Sequence, residues 1–298
     1  MNEKLKGVFA PITTPFDEDG AFSVKKLEFN IQKYAITNIA GYLVLGSNGE
    51  NKSLSSNEKE EVIKTVIANK SAGQVVMVGS IFESTRDTIE FALKSEELGA
   101  DFITLLPPSY FKGIMTDSIL IKYFTDVADA INTPCLMYNA PQFAGGVSIS
   151  LNVIKQCSKH PNIVGIKDSS SGNIEKTILS IDSENFDVLS GSANTFLSAL
   201  LHGATGGVIS LADSLPNLVV KLYRYVMDGD IKKAVELNKK ILRANYVISG
   251  EYGVAGVKTA MDIEGYCGGA PRLPLLPLEE EGVNKLRKIL KDIELDKL

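Results

Sequence analysis

The chain predicts an α/β fold, a (β/α)8 TIM barrel with a C-terminal helical extension. Three observations carry that prediction. Eight short apolar runs alternate with amphipathic stretches over about 210 residues. The turn after the first run, Pro11-Ile12-Thr13-Thr14-Pro15, lacks the glycine fingerprint that an open doubly wound sheet carries there. After Leu215-Pro216 the alternation stops and only helical patterns follow.

Short β-branched or apolar runs bounded by turn formers read as buried strands. They fall at residues 7–12, 41–45, 75–78, 102–106, 135–138, 163–167, 186–189 and 206–210. Between them, 57–69 carries Val62, Ile63, Val66 and Ile67 on one helical face, and 85–98 carries Ile89, Ala92 and Leu93. Residues 118–131 and 148–157 follow the same pattern. Residues 217–227, 231–246, 254–262 and 279–293 read as further helices, the last one preceded by Pro271, Pro274 and Pro277. The expected organisation is a catalytic barrel over 1–214 and a helical extension over 215–298 packed on it.

Composition narrows the function. With 298 residues, 44% hydrophobic and 22% charged, the chain has the profile of an ordinary globular protein. A net charge of −5 gives no support to nucleic-acid binding. Cys135, Cys157 and Cys267 are odd in number and widely spaced, which suggests a reducing, cytoplasmic setting. Residues 1–9 do not read as a signal peptide, and no run approaches the ~20 apolar residues a membrane helix needs.

Barrel enzymes place their chemistry at the C-terminal strand ends. Strand six ends in Lys167, after Ile163-Val164-Gly165-Ile166. Burial disfavours the charged form of an amine, and a neutral amine attacks carbonyl carbon. Residues two apart share a strand face, so Gly165 lies beneath Lys167 and is expected to leave room for the lysine stem or a ligand. Strand two ends in Gly46-Ser47-Asn48-Gly49-Glu50, small polar residues whose backbone and side-chain donors suit an anion. Strand five ends in Tyr138-Asn139-Ala140-Pro141, with a phenol able to relay protons. The ends of strands seven and eight, from Ser190-Gly191-Ser192-Ala193-Asn194 and Gly206 to Ser210, carry no arginine or lysine, so a phosphorylated substrate is not favoured. An amine, an anion-binding turn and a phenol together fit a compact keto acid.

Other patterns carry little. His160 and His202 have no metal spacing, one in a loop before Pro161 and one in an apolar helix. Asp17-Glu18-Asp19-Gly20 lacks the remaining ligands of a calcium loop. Asp168 and Glu50 alone are too few carboxylates for a metal mechanism, so no metal is expected, and no organic cofactor is expected either, because a lysine that condenses with a keto acid itself supplies the electron sink.

With Gly46-Ser47-Asn48-Gly49-Glu50, Tyr138-Asn139-Ala140-Pro141 and Gly165-Ile166-Lys167-Asp168 in that order, the chain resembles the dihydrodipicolinate synthase / N-acetylneuraminate lyase family. The likeness runs from about Gly7 to the C-terminal helices. It implies a barrel enzyme, a homotetramer built as a dimer of dimers, that forms a lysine Schiff base with pyruvate or another 2-keto acid. By position, Lys167 matches the Schiff-base lysine and Tyr138 the proton-shuttling phenol. Ser47 and Asn48 match the pair that holds the keto-acid carboxylate, with Asn48 in place of the usual threonine. Tyr110 matches the tyrosine exchanged across a dimer interface. The backbone carbonyl of Ile209 matches a contact near the reacting centre.

The resemblance also bears on the aldehyde partner. Dihydrodipicolinate synthases carry an arginine two residues after the proline of the tyrosine motif, whereas here Gln142-Phe143 follows Pro141. Phenylalanine cannot pair with a carboxylate. The acidic residues that sialic-acid lyases carry after strand seven are replaced by Ser192-Ala193-Asn194. The motifs look more like those of 4-hydroxy-2-oxoglutarate and 2-keto-3-deoxy sugar acid aldolases. The expected function is therefore a pyruvate-dependent aldolase acting on such a substrate. The alternatives are dihydrodipicolinate synthase, joining pyruvate to aspartate semialdehyde, and a non-enzymatic keto-acid sensor. A pyridoxal-phosphate enzyme would need a phosphate cradle that the loops after strands seven and eight lack.

Overall fold

The structure is a computed structural model that describes residues 2–170 and 174–295. Residues 1, 171–173 and 296–298, which the expected segments 1–214 and 215–298 include, lie outside them. Eight parallel strands close into a barrel in chain order: β1 (Gly7–Ala10), β2 (Gly41–Val44), β3 (Val75–Ser80), β4 (Phe102–Leu105), β5 (Cys135–Asn139), β6 (Ile163–Asp168), β7 (Asp187–Ser190) and β8 (Gly206–Val208). Each lies within two residues of its predicted position. The seam between β1 and β8 pairs Gly7 with Gly206. A Cβ on Gly206 would meet the Gly7 carbonyl oxygen at 2.1 Å, so closure needs glycine there.

The helices wrap this barrel: α1 (Val24–Tyr34), α2 (Ser56–Asn69), α3 (Thr85–Glu97), α4 (Asp117–Ala130), α5 (Leu151–Cys157), α6 (Ile174–Leu179) and α7 (Ala193–Leu201). Helices α1 and α6 are absent from the sequence expectation. Leu27, Ile31 and Tyr34 of α1 are buried, but the intervening charges blur the stripe. The helix expected from 148 starts at Leu151, because the Ser150 hydroxyl accepts the Val153 N–H and caps it. His202 is not inside an apolar helix. It is the exposed residue that ends α7, with Nδ1 2.8 Å from the Ser198 carbonyl.

Two apolar layers follow from the strand alternation. Phe9, Leu43, Met77, Phe102, Leu136, Leu189 and Val208 fill the barrel interior, with Leu5 packed among them. Val8, Tyr42, Val76, Ile103, Met137 and Ile166 face the helices. A bulge sets the phase of β6. Cys135 pairs with Ile163 but Leu136 with Gly165, so Val164 is an extra residue. Beyond it, Tyr138 on β5 and Leu189 on β7 both align with Lys167, which puts Lys167 on the interior face.

Among the described residues, four further helices follow: α8 (Pro216–Met227), α9 (Ile231–Asn245), α10 (Gly253–Ile263) and α11 (Glu280–Leu295). The expected helix over 231–246 does not simply end. It passes into a π-helical turn, Tyr246–Glu251, closed by a Tyr252 N–H to Val247 carbonyl bond of 3.3 Å. Among the described residues, no helix is long and apolar enough to cross a membrane.

Candidate active site

The interior phase of β6 brings Lys167 to the barrel mouth with only 4% of its surface exposed. Its Nζ lies 4.0 Å from the centroid of the Tyr138 ring, as a cation over a π face does. The Tyr138 hydroxyl is 3.4 Å from Ser47 Oγ, and either oxygen can donate. Amine, phenol and hydroxyl thus converge from β6, β5 and the turn after β2. The space beneath Lys167 is not free, contrary to expectation. A Cβ on Gly165 would lie 2.5 Å from the Asp187 carbonyl oxygen and 3.1 Å from Leu136 Cδ2, so this glycine serves close strand contact.

Asp168, next to Lys167, points away from the interior. Its carboxylate accepts from Asn139 Nδ2 at 3.2 Å, Ser170 Oγ at 2.6 Å and Thr177 Oγ1 at 2.9 Å. These bonds clamp the strand end that carries the amine. Gly191 completes the exit of β7, where a Cβ would fall 1.9 Å from Ser169 Oγ.

The turn after β2 is held in a strained form. Leu45 and Glu50 both adopt positive φ, 57° and 52°, which costs each about 1–3 kcal/mol. The surroundings impose it. Asn51 Nδ2 donates to the Leu45 carbonyl at 2.9 Å and Thr14 Oγ1 to the Gly49 carbonyl at 2.7 Å. Buried Glu50 pairs with Lys258 Nζ at 2.6 Å and accepts the Arg272 N–H at 2.8 Å. Burial lowers the proton affinity of Lys258, and the Glu50 carboxylate counters it. Arg272 also forks onto Glu58, whose carboxyl that guanidinium holds down at about 2.

Asn48 departs from its expected task. Its side-chain amide is already engaged, donating to Ser210 Oγ at 2.7 Å and Asp213 Oδ2 at 2.8 Å. Both of its N–H groups are thus engaged within the protein. Ile209 is fully buried at the end of β8, and its carbonyl accepts the Ala212 N–H at 2.9 Å. Val208 and Ser210, not Ile209, line the cavity. Tyr110 is 79% exposed beside Phe111 and lies outside the cavity.

The cavity measures about 580 Å³. Ser47, Asn48, Tyr138 and Lys167 form its base, and Gln142, Phe143, Ser169, Ser192 and Asn194 one wall. The C-terminal segments supply a further wall through Asn245, Ser249, Gly250 and Val257, and Asn245 Nδ2 donates to Asn194 Oδ1 at 3.0 Å. Sequence reasoning missed this wall, along with Asp213, Lys258 and Arg272. A lysine, an arginine and an aspartate inside helical or proline-rich patterns give no local sign of what they meet. Among the described residues, no group of three or more His, Cys, Asp or Glu side chains could hold a metal ion.

A family model, the Dihydrodipicolinate synthetase family, matches residues 4–293. The 4-hydroxy-tetrahydrodipicolinate synthase of Methanothrix thermoacetophila is 32% identical over 288 residues, 96% of each chain. That of Neisseria meningitidis serogroup B is 32% identical, covering 96% of this chain and 98% of its own. Among solved structures, the chloride-inhibited dihydrodipicolinate synthase of Acinetobacter baumannii complexed with pyruvate superposes with a TM-score of 0.91 at 30% identity, covering 97% of this chain and 98% of its own. The E. coli K12 prophage protein YagE, in complex with pyruvate, gives 0.90 at 26% identity, covering 97% and 99%. With a closed barrel, a strand-end lysine over a tyrosine and a match along nearly its whole length, this chain belongs to the dihydrodipicolinate synthetase family of pyruvate-dependent carbon–carbon lyases that act through a lysine Schiff base.

Proposed function

We propose that Lys167 is the Schiff-base residue and that the chain is an aldolase for a 4-hydroxy-2-oxoglutarate or 2-keto-3-deoxy sugar acid substrate. The observation that carries this reading is the cavity lining. Lys167 sits at its base, Lys52 is the only other cation among the lining residues, and no arginine is present. Phe143 stands where a synthase would grip the carboxylate of its aldehyde. Gln142, Ser169, Ser192, Asn194 and Ser249 instead offer neutral amides and hydroxyls, which suit a hydroxylated acceptor.

In the cleavage direction the Lys167 amine adds to the C2 carbonyl carbon. Tyr138 passes protons while the carbinolamine loses water. The resulting iminium draws electrons from C3, so the C3–C4 bond breaks as Tyr138 takes the C4 hydroxyl proton. An aldehyde leaves, and the enamine of pyruvate takes a proton at C3 before hydrolysis frees the lysine. The turn after β2 fixes the carboxylate, and such positioning contributes about 7–11 kcal/mol to lowering a barrier. The chemistry requires no metal or organic cofactor, because the iminium is itself the electron sink.

A second reading has its own support. The curated relatives at 32% identity are named 4-hydroxy-tetrahydrodipicolinate synthase, which favours condensation of pyruvate with aspartate semialdehyde. Turnover assays with 4-hydroxy-2-oxoglutarate, 2-keto-3-deoxygluconate, and pyruvate plus aspartate semialdehyde separate the two. Preference for the third substrate overturns the first reading. Turnover of any one of them excludes a keto-acid sensor.

The exposed Tyr110 fits the reading in which this residue enters a partner's site within a homotetramer. Sedimentation measures the assembly. Mixing Lys167→Ala with Tyr110→Phe protein, followed by subunit exchange, should restore part of the activity that each variant lacks.

A further inference from the structure

Asp213 is a carboxyl group for which the mechanism has no use. It ends the short 3-10 turn Ser210–Asp213 that follows β8, and none of its surface is exposed. Oδ2 accepts from Asn48 Nδ2 at 2.8 Å, and the same nitrogen donates to Ser210 Oγ at 2.7 Å. Ser249 Oγ, from the π-helical turn, donates to Ser210 Oγ at 3.2 Å. Ser249, Ser210 and Asn48 line the cavity, and Asp213 stands behind them. Its Oδ1 has no hydrogen-bond partner among the described residues. An asparagine could accept from Asn48 equally well. A buried acid with one oxygen unpaired is the costlier choice for that bond.

We propose that Asp213 is a positioning residue of the aldolase reaction: through Asn48 it holds the turn that receives the keto-acid carboxylate, and its charge state sets how well that turn receives it. The inference rests on the Schiff-base reading of Lys167. Burial pushes the Asp213 carboxyl up to about 8, against the pull of the Asn48 hydrogen bond and the Lys167 charge. Near neutral pH it is thus an uncharged acceptor. Above about 8 it becomes an anion in direct contact with the turn.

The titratable groups facing it are Lys167 on β6, Tyr34 on α1, whose hydroxyl donates to the Asp213 carbonyl, and Tyr266 beyond α10. Segments of β1, α8, α9, α10 and the π-helical turn also pack here, and among the described residues none of them adds a titratable group that acts on it. Lys167 opposes the new charge, but the two form no ion pair among the described residues, whereas Asp213 touches Asn48. Repulsion of the substrate carboxylate therefore prevails in this poorly screened interior.

The test is borohydride trapping of pyruvate on Lys167, followed by peptide mass mapping, as a function of pyruvate concentration. It is run at about pH 6.5 and about pH 9, on either side of the Asp213 transition, for the wild-type, Asp213→Asn and Asp213→Ala proteins. Half-saturating pyruvate should rise about tenfold with pH in the wild type and stay within about twofold in Asp213→Asn, while Asp213→Ala, having lost the acceptor, needs more pyruvate at both values. A residue of purely structural importance would not flatten the pH dependence when replaced by its neutral isostere. Parallel curves for wild type and Asp213→Asn overturn the inference, as does a flat wild-type curve, which needs no variant to fold. A wild type that forms no adduct at all removes the Schiff-base reading and this inference with it. An adduct with parallel curves removes this inference alone.

Discussion

At the scale of residues, the site concentrates its chemistry in Lys167 and Tyr138. Lys167→Ala should form no reducible adduct with pyruvate, with kcat lowered by at least about 10³-fold, since no other amine lines the base of the cavity. Tyr138→Phe keeps the ring beneath the ammonium but loses the proton relay. Its adduct should form slowly, with kcat down by about 10²–10³-fold and little change in pyruvate affinity, as single-turnover trapping would show. Asp213 makes a prediction about stability as well. Its carboxyl is raised from 3.8 to about 8 in the folded chain, so between those values the native state binds the extra proton. Stability from this group therefore falls as pH rises from about 4 to about 8 and is flat beyond. Asp213→Asn should raise Tm relative to wild type at about pH 8 and leave it nearly unchanged at about pH 4, read by calorimetry. Cys135 behaves oppositely to a reactive thiol: burial pushes it up to about 12, so thiol reagents should spare it in the native protein.

At the scale of elements, the turn after β2 is the least self-sufficient part of the site. Two non-glycine residues with positive φ would not stay there unaided, and the buried Glu50–Lys258 pair is one of the braces. Lys258→Ala leaves Glu50 charged and buried and should cost about 3–5 kcal/mol in urea unfolding. Lys258→Met, which fills the same space, should still loosen the turn and raise half-saturating pyruvate more than it changes kcat. Gly79→Ala probes the same turn from β3. Its Cβ would lie 2.3 Å from the Leu45 carbonyl, so both stability, by about 1–3 kcal/mol, and pyruvate affinity should fall. The π-helical turn sets Ser249 against Ser210 in the cavity lining, where Ser249→Ala should alter KM for the intact aldol substrate more than for pyruvate.

At the scale of the whole molecule, the C-terminal segments close the barrel mouth as well as cover its side. Arg272 joins Gly20, Ser53, Glu50 and Glu58, and its guanidinium lies 4.2 Å and the Lys258 ammonium 4.3 Å from the centroid of the Phe16 ring. The carboxyl of Glu58 is depressed from 4.5 to about 2, so its stabilisation is complete above the unfolded value and is lost as pH falls through that window. Arg272→Gln should lower Tm at neutral pH and blunt the further loss between about pH 4.5 and pH 2. The eight strands were legible along the sequence because each is a local apolar run, and the family was legible because three strand-end motifs keep their order. Helix α1, the π-helical turn and the braces around Glu50 were not, since charged residues hide the first, the second meets Ser210, 39 positions from Ser249, and Glu50 meets Arg272, 222 positions away. Lys167 and Tyr138 could be picked out by their places at strand ends, whereas the engagement of the Asn48 amide by Asp213 could not. By itself, then, the sequence determined the barrel, its period and the residue types at its mouth, because alternation and strand termination are properties of neighbouring residues. Only the tertiary structure decided which way those residues face and what holds them, because a bulge, a buried charge pair and a wall folded back from the C-terminus arise from contacts between segments far apart in the chain.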